Sequence, residues 1–289
     1  MTSETEQPPV DPRPTTTAGP GTGPGSSHRP AVDLEPLVTA ADLHELHRDV
    51  LSPSFPPEEL EPVESLVEGC AQGRTRALGV RRDGRVVAGA VAAGSGAPGD
   101  VMLLVYLAIA PGQRGGGIGG ALLDAAVRRW VAESSPGLLL AEVEHPDHHA
   151  ASEAHGDPAA RLRFYARHGA RLLAVPYFQP GLGAAGARVP ALLLTTLHVA
   201  PEMVREGPVD APTAVDAGPL RDFLTAYLVG SEGSLRDDAD TRALLDAVRG
   251  PNVALVDPAD LGQVPVGMVW VTEPGTVTDS PSAPRAPSA

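Results

Sequence analysis

A chain of 289 residues that is 42% hydrophobic but only 3% aromatic can hold one large domain or two small ones, on a core made mostly of Leu, Val and Ala. Its formal net charge of -14 argues against a nucleic-acid partner, which selects a basic face, and favours a cationic or neutral one. The longest apolar run, Val101 to Ala110, falls well short of the ~18 residues that a membrane-spanning helix needs.

The single cysteine, Cys70, cannot form an internal disulfide, which suits a reducing compartment. The first residues, MTSETEQPPV, carry acid and proline where an export signal has a basic and then an apolar region, so a cytoplasmic location is expected. Residues 1–32 are Pro, Thr, Gly and Ser with hardly an apolar side chain, and 278–289 are similar. Such segments bury too little surface to offset ordering entropy, and both are expected to be disordered tails.

Order is expected from Asp33. Leu34–Val38 reads as a short strand, and Thr39 or Asp42 caps a helix whose inner face is Leu43, Leu46 and Val50. A proline-broken turn, SPSFPPEEL, leads to a second helix around Pro62–Ala71, where Cys70 reads as a packed residue. Two strand-like runs, Arg76–Val80 and Arg85–Ala93, flank Asp83-Gly84, a strong hairpin signal.

The stretch Val101–Val131 organises the rest. VMLLVYLAIA reads as a buried strand, Pro111 ends it, QRGGGIGG is a loop almost bare of side chains, and a helix follows with Ile118, Leu122, Ala126 and Trp130 on one face. Strand, glycine loop and helix start in that order expose backbone N–H groups at a positive helix end, a receptor for phosphate. A triphosphate-binding P-loop needs a lysine after the glycines, and this chain has no lysine at all. A dinucleotide fingerprint fits poorly because Pro111–Arg114 intervene before the glycines.

The next expected elements are a buried strand Gly137–Glu144, a polar loop HPDHHAASEAHGDP, a helix Ala159–His168 started by Asp157-Pro158 and stopped by Gly169, and two strands, Arg171–Val175 and Ala191–Val199. Beyond Pro201, helical spacing recurs at Leu220, Phe223, Leu224, Tyr227 and Leu228 and at Leu244, Leu245 and Val248, and Val264–Thr272 reads as a strand.

Arg114-x-x-Gly117-x-Gly119, set between an apolar strand with Pro111 and the helical Ala121-Leu122-Leu123, resembles the pyrophosphate-binding motif of the GNAT superfamily of acyl-CoA-dependent N-acyltransferases. The order of the elements extends the resemblance over residues 33–200, and 201–277 become a C-terminal extension packing on that domain or on a partner. The resemblance implies an α+β GNAT fold, a mixed central sheet flanked by helices, with a C-terminal helical extension. It implies that Leu107, Ala108 and Ile109 meet the pantetheine, and that Arg114, Gly115, Gly116, Gly117, Ile118, Gly119 and Gly120 wrap the pyrophosphate. Phe164-Tyr165-Ala166-Arg167-His168-Gly169 looks like the family's second motif, which makes Tyr165 the acid for departing CoA.

Acyl transfer to an amine also needs a base. Glu142 and Glu144 alternate onto one strand face and can bind a cation while raising each other's pKa; Tyr106 is a further candidate. His145, Asp147, His148, His149, His155 and Asp157 invite a metal reading, but Asp, Ala and Gly filler marks a loop, and no metal is expected. The expectation is therefore an N-acetyltransferase using acetyl-CoA as co-substrate, by direct transfer in a ternary complex to an amine, small molecule or protein. It has no nucleic-acid or membrane partner, and a homodimer is compatible with it. The alternative is a catalytically silent CoA-binding sensor or regulatory module.

Overall fold

The computed structural model describes residues 33–268, apart from 153–155, 182–185 and 210–212. Ten strands form one sheet among these residues: β1 (Glu35–Pro36), β2 (Thr75–Arg82), β3 (Arg85–Ala93), β4 (Val101–Ile109), β5 (Leu138–Glu144), β6 (Arg171–Leu173), β7 (Leu192–Val199), β8 (Val204–Glu206), β9 (Thr213–Asp216) and β10 (Asn252–Val256). Their spatial order is β1-β2-β3-β4-β5-β7-β6-β10-β9-β8. Only β4 and β5 pair in parallel. Six α-helices accompany them: α1 (Ala40–Leu46), α2 (Val63–Ala71), α3 (Ile118–Ser134), α4 (Pro158–Arg167), α5 (Ala217–Glu232) and α6 (Ala239–Ala247).

Local chemistry explains most boundaries. Thr39 and Asp42 both serve α1, as a reciprocal capping box in which each side chain accepts from the other's backbone N–H. Asp83 and Gly84 both have positive φ, 49° and 76°, which is the turn that matches the twist of a two-residue hairpin. Asp157 accepts from the Ala159 N–H at 2.9 Å and Pro158 opens α4, while Gly169 at φ 83° stops it.

The helices divide between the two faces of the sheet. Leu122, Leu123, Ala126 and Trp130 of α3 and Leu162 and Tyr165 of α4 pack on Met102, Leu104 and Leu139. On the other face Leu43 and Leu46 of α1 and Leu66 of α2 meet Val91, Tyr106 and Ala108. Further along that face, Leu220, Leu224 and Leu228 of α5 and Leu244 and Val248 of α6 meet Val101, Leu103, Leu138 and Leu140. Each such buried aliphatic side chain contributes about 1.5–3 kcal/mol, so α5 and α6 are held firmly to the sheet.

The extension is less helical than its spacing suggested, because it also supplies β8, β9 and β10, and β10 pairs with β6. Segments as short as VRE and TAVD carry no readable alternation. Between 264 and 268 the expected strand appears only as a single bridge from Val266 to Tyr177, and 269–272 lie outside the described residues, as do the expected tails, 1–32 and 278–289.

Candidate active site

The site begins where the parallel pair separates. Strand β4 pairs with β5 only from Val101–Leu104 to Leu138–Ala141, yet stays with β3 as far as Ile109. The register with β3 slips at Val105: Leu104 faces Ala92, Tyr106 faces Val91, and Val105 is the extra residue of a bulge. That is why Leu103 and then Tyr106 and Ala108, rather than Val105 and Leu107, fall on one face. The Ala110 N–H donates to the Val87 carbonyl at 2.9 Å. By alternation, Leu107 and Ile109 turn their N–H and C=O away from β3, toward the opening. Ala108 lines the opening too, but its own N–H points back to β3. The resulting cavity has a volume of about 790 Å³ and runs from Arg114 and Gly119 to Glu142, Tyr106 and Tyr227.

The glycine loop closes one end. Gly115, Gly116 and Gly117 have φ of 114°, 61° and 78°, conformations that cost an L side chain about 1–2 kcal/mol each. Gly117 caps α3 without a side chain, and among the described residues no backbone carbonyl accepts from the N–H groups of Gly116, Gly117, Gly119 or Gly120. These bare donors lie at the positive end of a 17-residue helix. A Cβ at Gly115 or Gly116 would find no neighbour within 4 Å, so the loop surface is open to a ligand. Arg114 stands over it, its Nε reaching the Ile109 carbonyl at 3.5 Å.

Two members of the expected loop behave differently. The Ile118 side chain is in the core and its N–H donates to Gly115 O at 3.4 Å. Gly120 does not line the cavity; a Cβ there would come within 2.8 Å of the His168 ring, which is fixed by Asp124 at 2.6 Å, so its small size serves the α3–α4 contact. Substituting Gly117→Val should leave the core folded while acetyl-CoA affinity, read by calorimetric titration, falls at least tenfold. An unchanged affinity in a folded variant would refute a ligand role for the loop.

Tyr165 lines the same cavity from α4, one residue after Phe164, whose ring meets it edge-on at 5.2 Å. Its hydroxyl has no hydrogen-bond partner among the described residues. Burial pushes its pKa up to about 12, against the opposing charge of Arg161. One turn earlier, Arg161 binds Glu144 at 3.2 Å, and His149 lies 3.7 Å from the same carboxylate. Glu144 is thus tied to α4 and the histidine loop.

Glu142 has a different setting, although both acids line the cavity from one strand face as their spacing implies. Tyr177 donates to its Oε1 at 2.5 Å, Tyr227 approaches that oxygen at 3.5 Å, and the Gln179 amide donates to Oε2 at 3.3 Å. Burial raises the Glu142 pKa to about 7, and the three donors moderate the rise. The Tyr106 hydroxyl is occupied: it accepts from Glu61 N–H at 3.0 Å and donates to Glu59 O at 3.2 Å, fastening the segment before α2 across the mouth of the cavity.

No local pattern marks Tyr177, Gln179 and Tyr227 as the residues that gather around Glu142. They are distant in the chain, and only Tyr227 belonged to a recognisable pattern. Of the histidine loop, His145 is buried edge-on to His148 at 4.7 Å, His149 donates to Pro190 O at 2.8 Å, and Asp157 caps α4. His155 lies outside the described residues. Among the described residues no three His, Cys, Asp or Glu side chains converge as a metal site would require.

The sheet thus opens between its parallel strands beside a glycine-framed helix start. Residues 40–170 match the acetyltransferase (GNAT) family, and the chain carries a GNAT acetyltransferase domain there. Solved structures are similar to part of the chain. An acetyltransferase assigned to the GNAT family from Bacteroides thetaiotaomicron is 23% identical over 58% of this chain and 88% of its own, with a TM-score of 0.45. The ribosomal-protein-S18-alanine N-acetyltransferase of Escherichia coli is 18% identical over 59% and 96%, with a TM-score of 0.40. A GNAT family acetyltransferase from Elizabethkingia anophelis, with acetyl-CoA bound, is 13% identical over 58% and 98%, with a TM-score of 0.40. No curated protein matches the chain in sequence.

Proposed function

We propose that this protein is an N-acetyltransferase that moves an acetyl group from acetyl-CoA to an amine by direct transfer, with Glu142 as base and Tyr165 as acid. The observation that carries the reading is one cavity that joins the open β4 edge, a carboxyl held near neutrality and an unpartnered phenol, and that reaches the glycine loop at Arg114 and Gly119.

These residues fit acetyl-CoA. Arg114 and the N–H groups of Gly116, Gly117, Gly119 and Gly120 would hold its pyrophosphate, and the outward groups of Leu107 and Ile109 would pair with its pantetheine. When bound, the co-substrate supplies an acetyl thioester with a thiolate as leaving group. The N–H of Leu107 or Ile109 can polarise the thioester carbonyl from the strand edge. Glu142, ionised above its pKa of about 7, takes a proton from the acceptor ammonium and frees the lone pair that attacks the carbonyl carbon. As the carbon–sulfur bond breaks, Tyr165 gives its proton to the sulfur; the second amine proton then passes to the phenolate and restores it, and Glu142 releases the proton it took to solvent.

A phenol with a pKa of about 12 remains protonated across the neutral range. Being a weak acid beside a thiol of pKa roughly 8.5, it donates in concert with bond cleavage and not ahead of it. The functional test is thiol release from acetyl-CoA with a panel of primary amines. A silent sensor would bind acetyl-CoA and release no thiol with any of them. The acidic lining and the absence of a membrane-length apolar helix among the described residues agree with a small organic amine or an exposed protein amino group as acceptor.

A further inference from the structure

We propose that Tyr227 on α5 is a positioning residue for the acyl acceptor, its hydroxyl joining the Glu142 carboxyl to the incoming amine, so that the C-terminal extension forms one wall of the acceptor site. The inference rests on the proposed acetyl transfer.

Helix α5 sends Leu220, Leu224 and Leu228 into the core, while Tyr227 turns toward the cavity and lines it. Its hydroxyl lies 3.5 Å from Glu142 Oε1, the same oxygen that the Tyr177 hydroxyl holds at 2.5 Å. The two phenols are not equivalent. Tyr177 is fully buried, away from the cavity lining, and its short bond fixes the carboxyl. Tyr227 stands beyond the ordinary O–H···O distance of about 2.5–3.0 Å and has the cavity in front of it. Its oxygen can therefore accept from an ammonium while its proton is directed at Glu142. One ammonium would then meet two acceptors, a carboxylate and a phenol oxygen, which sets its direction as well as its place.

The surroundings keep Tyr227 in position. Phe223 stacks on its ring with centroids 5.6 Å apart and planes 16° from parallel. The Arg188 guanidinium, only 4% exposed in its side chain, grips Glu232 in the last turn of α5 at 2.6 Å and Asp238, the cap of α6, at 3.0 Å. It also lies 4.4 Å above the Phe178 ring. Arg188 shares its segment with Tyr177 and Gln179, so one residue ties both sides of the Glu142 cage together. Its charge is already met by two carboxylates and does not repel a cation.

The charged and titratable groups around this pair are few. Tyr106 faces Glu142 from β4, Glu61 before α2 adds its charge beside Tyr106 and Tyr227, and Glu144, already paired with Arg161 and His149, lies two residues along β5. Phe55, 5.1 Å from the Tyr106 ring, adds an apolar side to the mouth of the cavity. The acceptor class this arrangement fits is a small primary ammonium on an apolar body.

The test uses the full chain and its Tyr227→Phe and Tyr227→Leu variants, with 2-phenylethylamine and 1,4-diaminobutane as acceptors. Acetyl-CoA affinity is measured by calorimetry, and thiol release is followed across pH. Tyr227→Phe keeps the ring and its stack, so folding should persist. The expected result is an unchanged acetyl-CoA affinity, a KM for amine raised about tenfold, and an acid limb of kcat/KM shifted to higher pH, because the carboxylate has lost a donor that stabilised it. Tyr227→Leu should move the limb no further, which would place the effect on the hydroxyl. A parental KM and an unmoved limb in both variants would overturn the inference while leaving acetyl transfer intact. Failure of the parent to bind acetyl-CoA, or to release thiol with any amine, would instead overturn the proposed function, and the inference with it.

Discussion

Tyr165→Phe should lower the turnover number by about 10²–10⁴-fold, the usual range for losing a general acid, while acetyl-CoA affinity stays near the parental value. The substitution removes one oxygen and keeps the ring that packs with Leu162 and Phe164. Its hydroxyl makes no hydrogen bond among the described residues, so no partner is stranded, and the melting temperature should hardly move. Large kinetic loss with little structural cost is the signature of a residue placed for chemistry. Where product release limits turnover, single-turnover rates are the measurement to make. A parental single-turnover rate would make Tyr165 a packing residue and leave water or the amine to protonate the sulfur.

Glu142→Gln should act on activity and stability in opposite directions. With no carboxylate to take the ammonium proton, kcat/KM for the amine should fall by about 10²–10⁴-fold, and its acid limb near pH 7 should vanish. For stability the sign follows from the raised pKa. Burial lifts the carboxyl from 4.5 to about 7, so the fold prefers the protonated form. Below the unfolded value this costs nothing; as pH rises from there through 7 the penalty grows, and above 7 it is complete. At about 1.4 kcal/mol per pH unit, the full penalty is on the order of 3–4 kcal/mol. The neutral amide escapes it. Denaturant melts at pH 8 should therefore find the variant more stable than the parent, and melts at pH 5 should find most of that difference gone. A variant less stable than its parent at pH 8 would mean that Glu142 is held as a paired carboxylate and is not poised as a base.

The parts of this site carried by contiguous chain were readable in advance. Asp83-Gly84, Asp157-Pro158 and the run from Val101 to Val131 each encode a turn, a cap or a strand–loop–helix within a few residues, and each takes that form. The alternation that put Glu142 and Glu144 on one face was legible as well, but not their divergence. Glu142 is set by Tyr177, Gln179 and Tyr227, 35, 37 and 85 residues away, whereas Glu144 is taken by Arg161. Nothing in the local pattern reports such distant partners. The bulge at Val105 was invisible too, because an apolar run buried on both faces looks the same in either register. The strands of the extension escaped notice through brevity, since three or four residues cannot display a period.

The joint between β6 and β10 bears on how enzymes of this shape can diversify. It is made by main-chain hydrogen bonds over two residue pairs, Leu173 with Leu255 and Leu172 with Val256. Such bonds are indifferent to side-chain identity on the exposed parts of the helices that β10 brings with it. The glycine loop and the strand edge lie within 40–170, whereas Tyr227 lies well outside it. On the proposed function, the segment that would handle the thioester can stay fixed under selection while the segment that would face the acceptor drifts, provided β10 keeps its register. Two such proteins alike throughout the first segment would then be free to serve different acceptors.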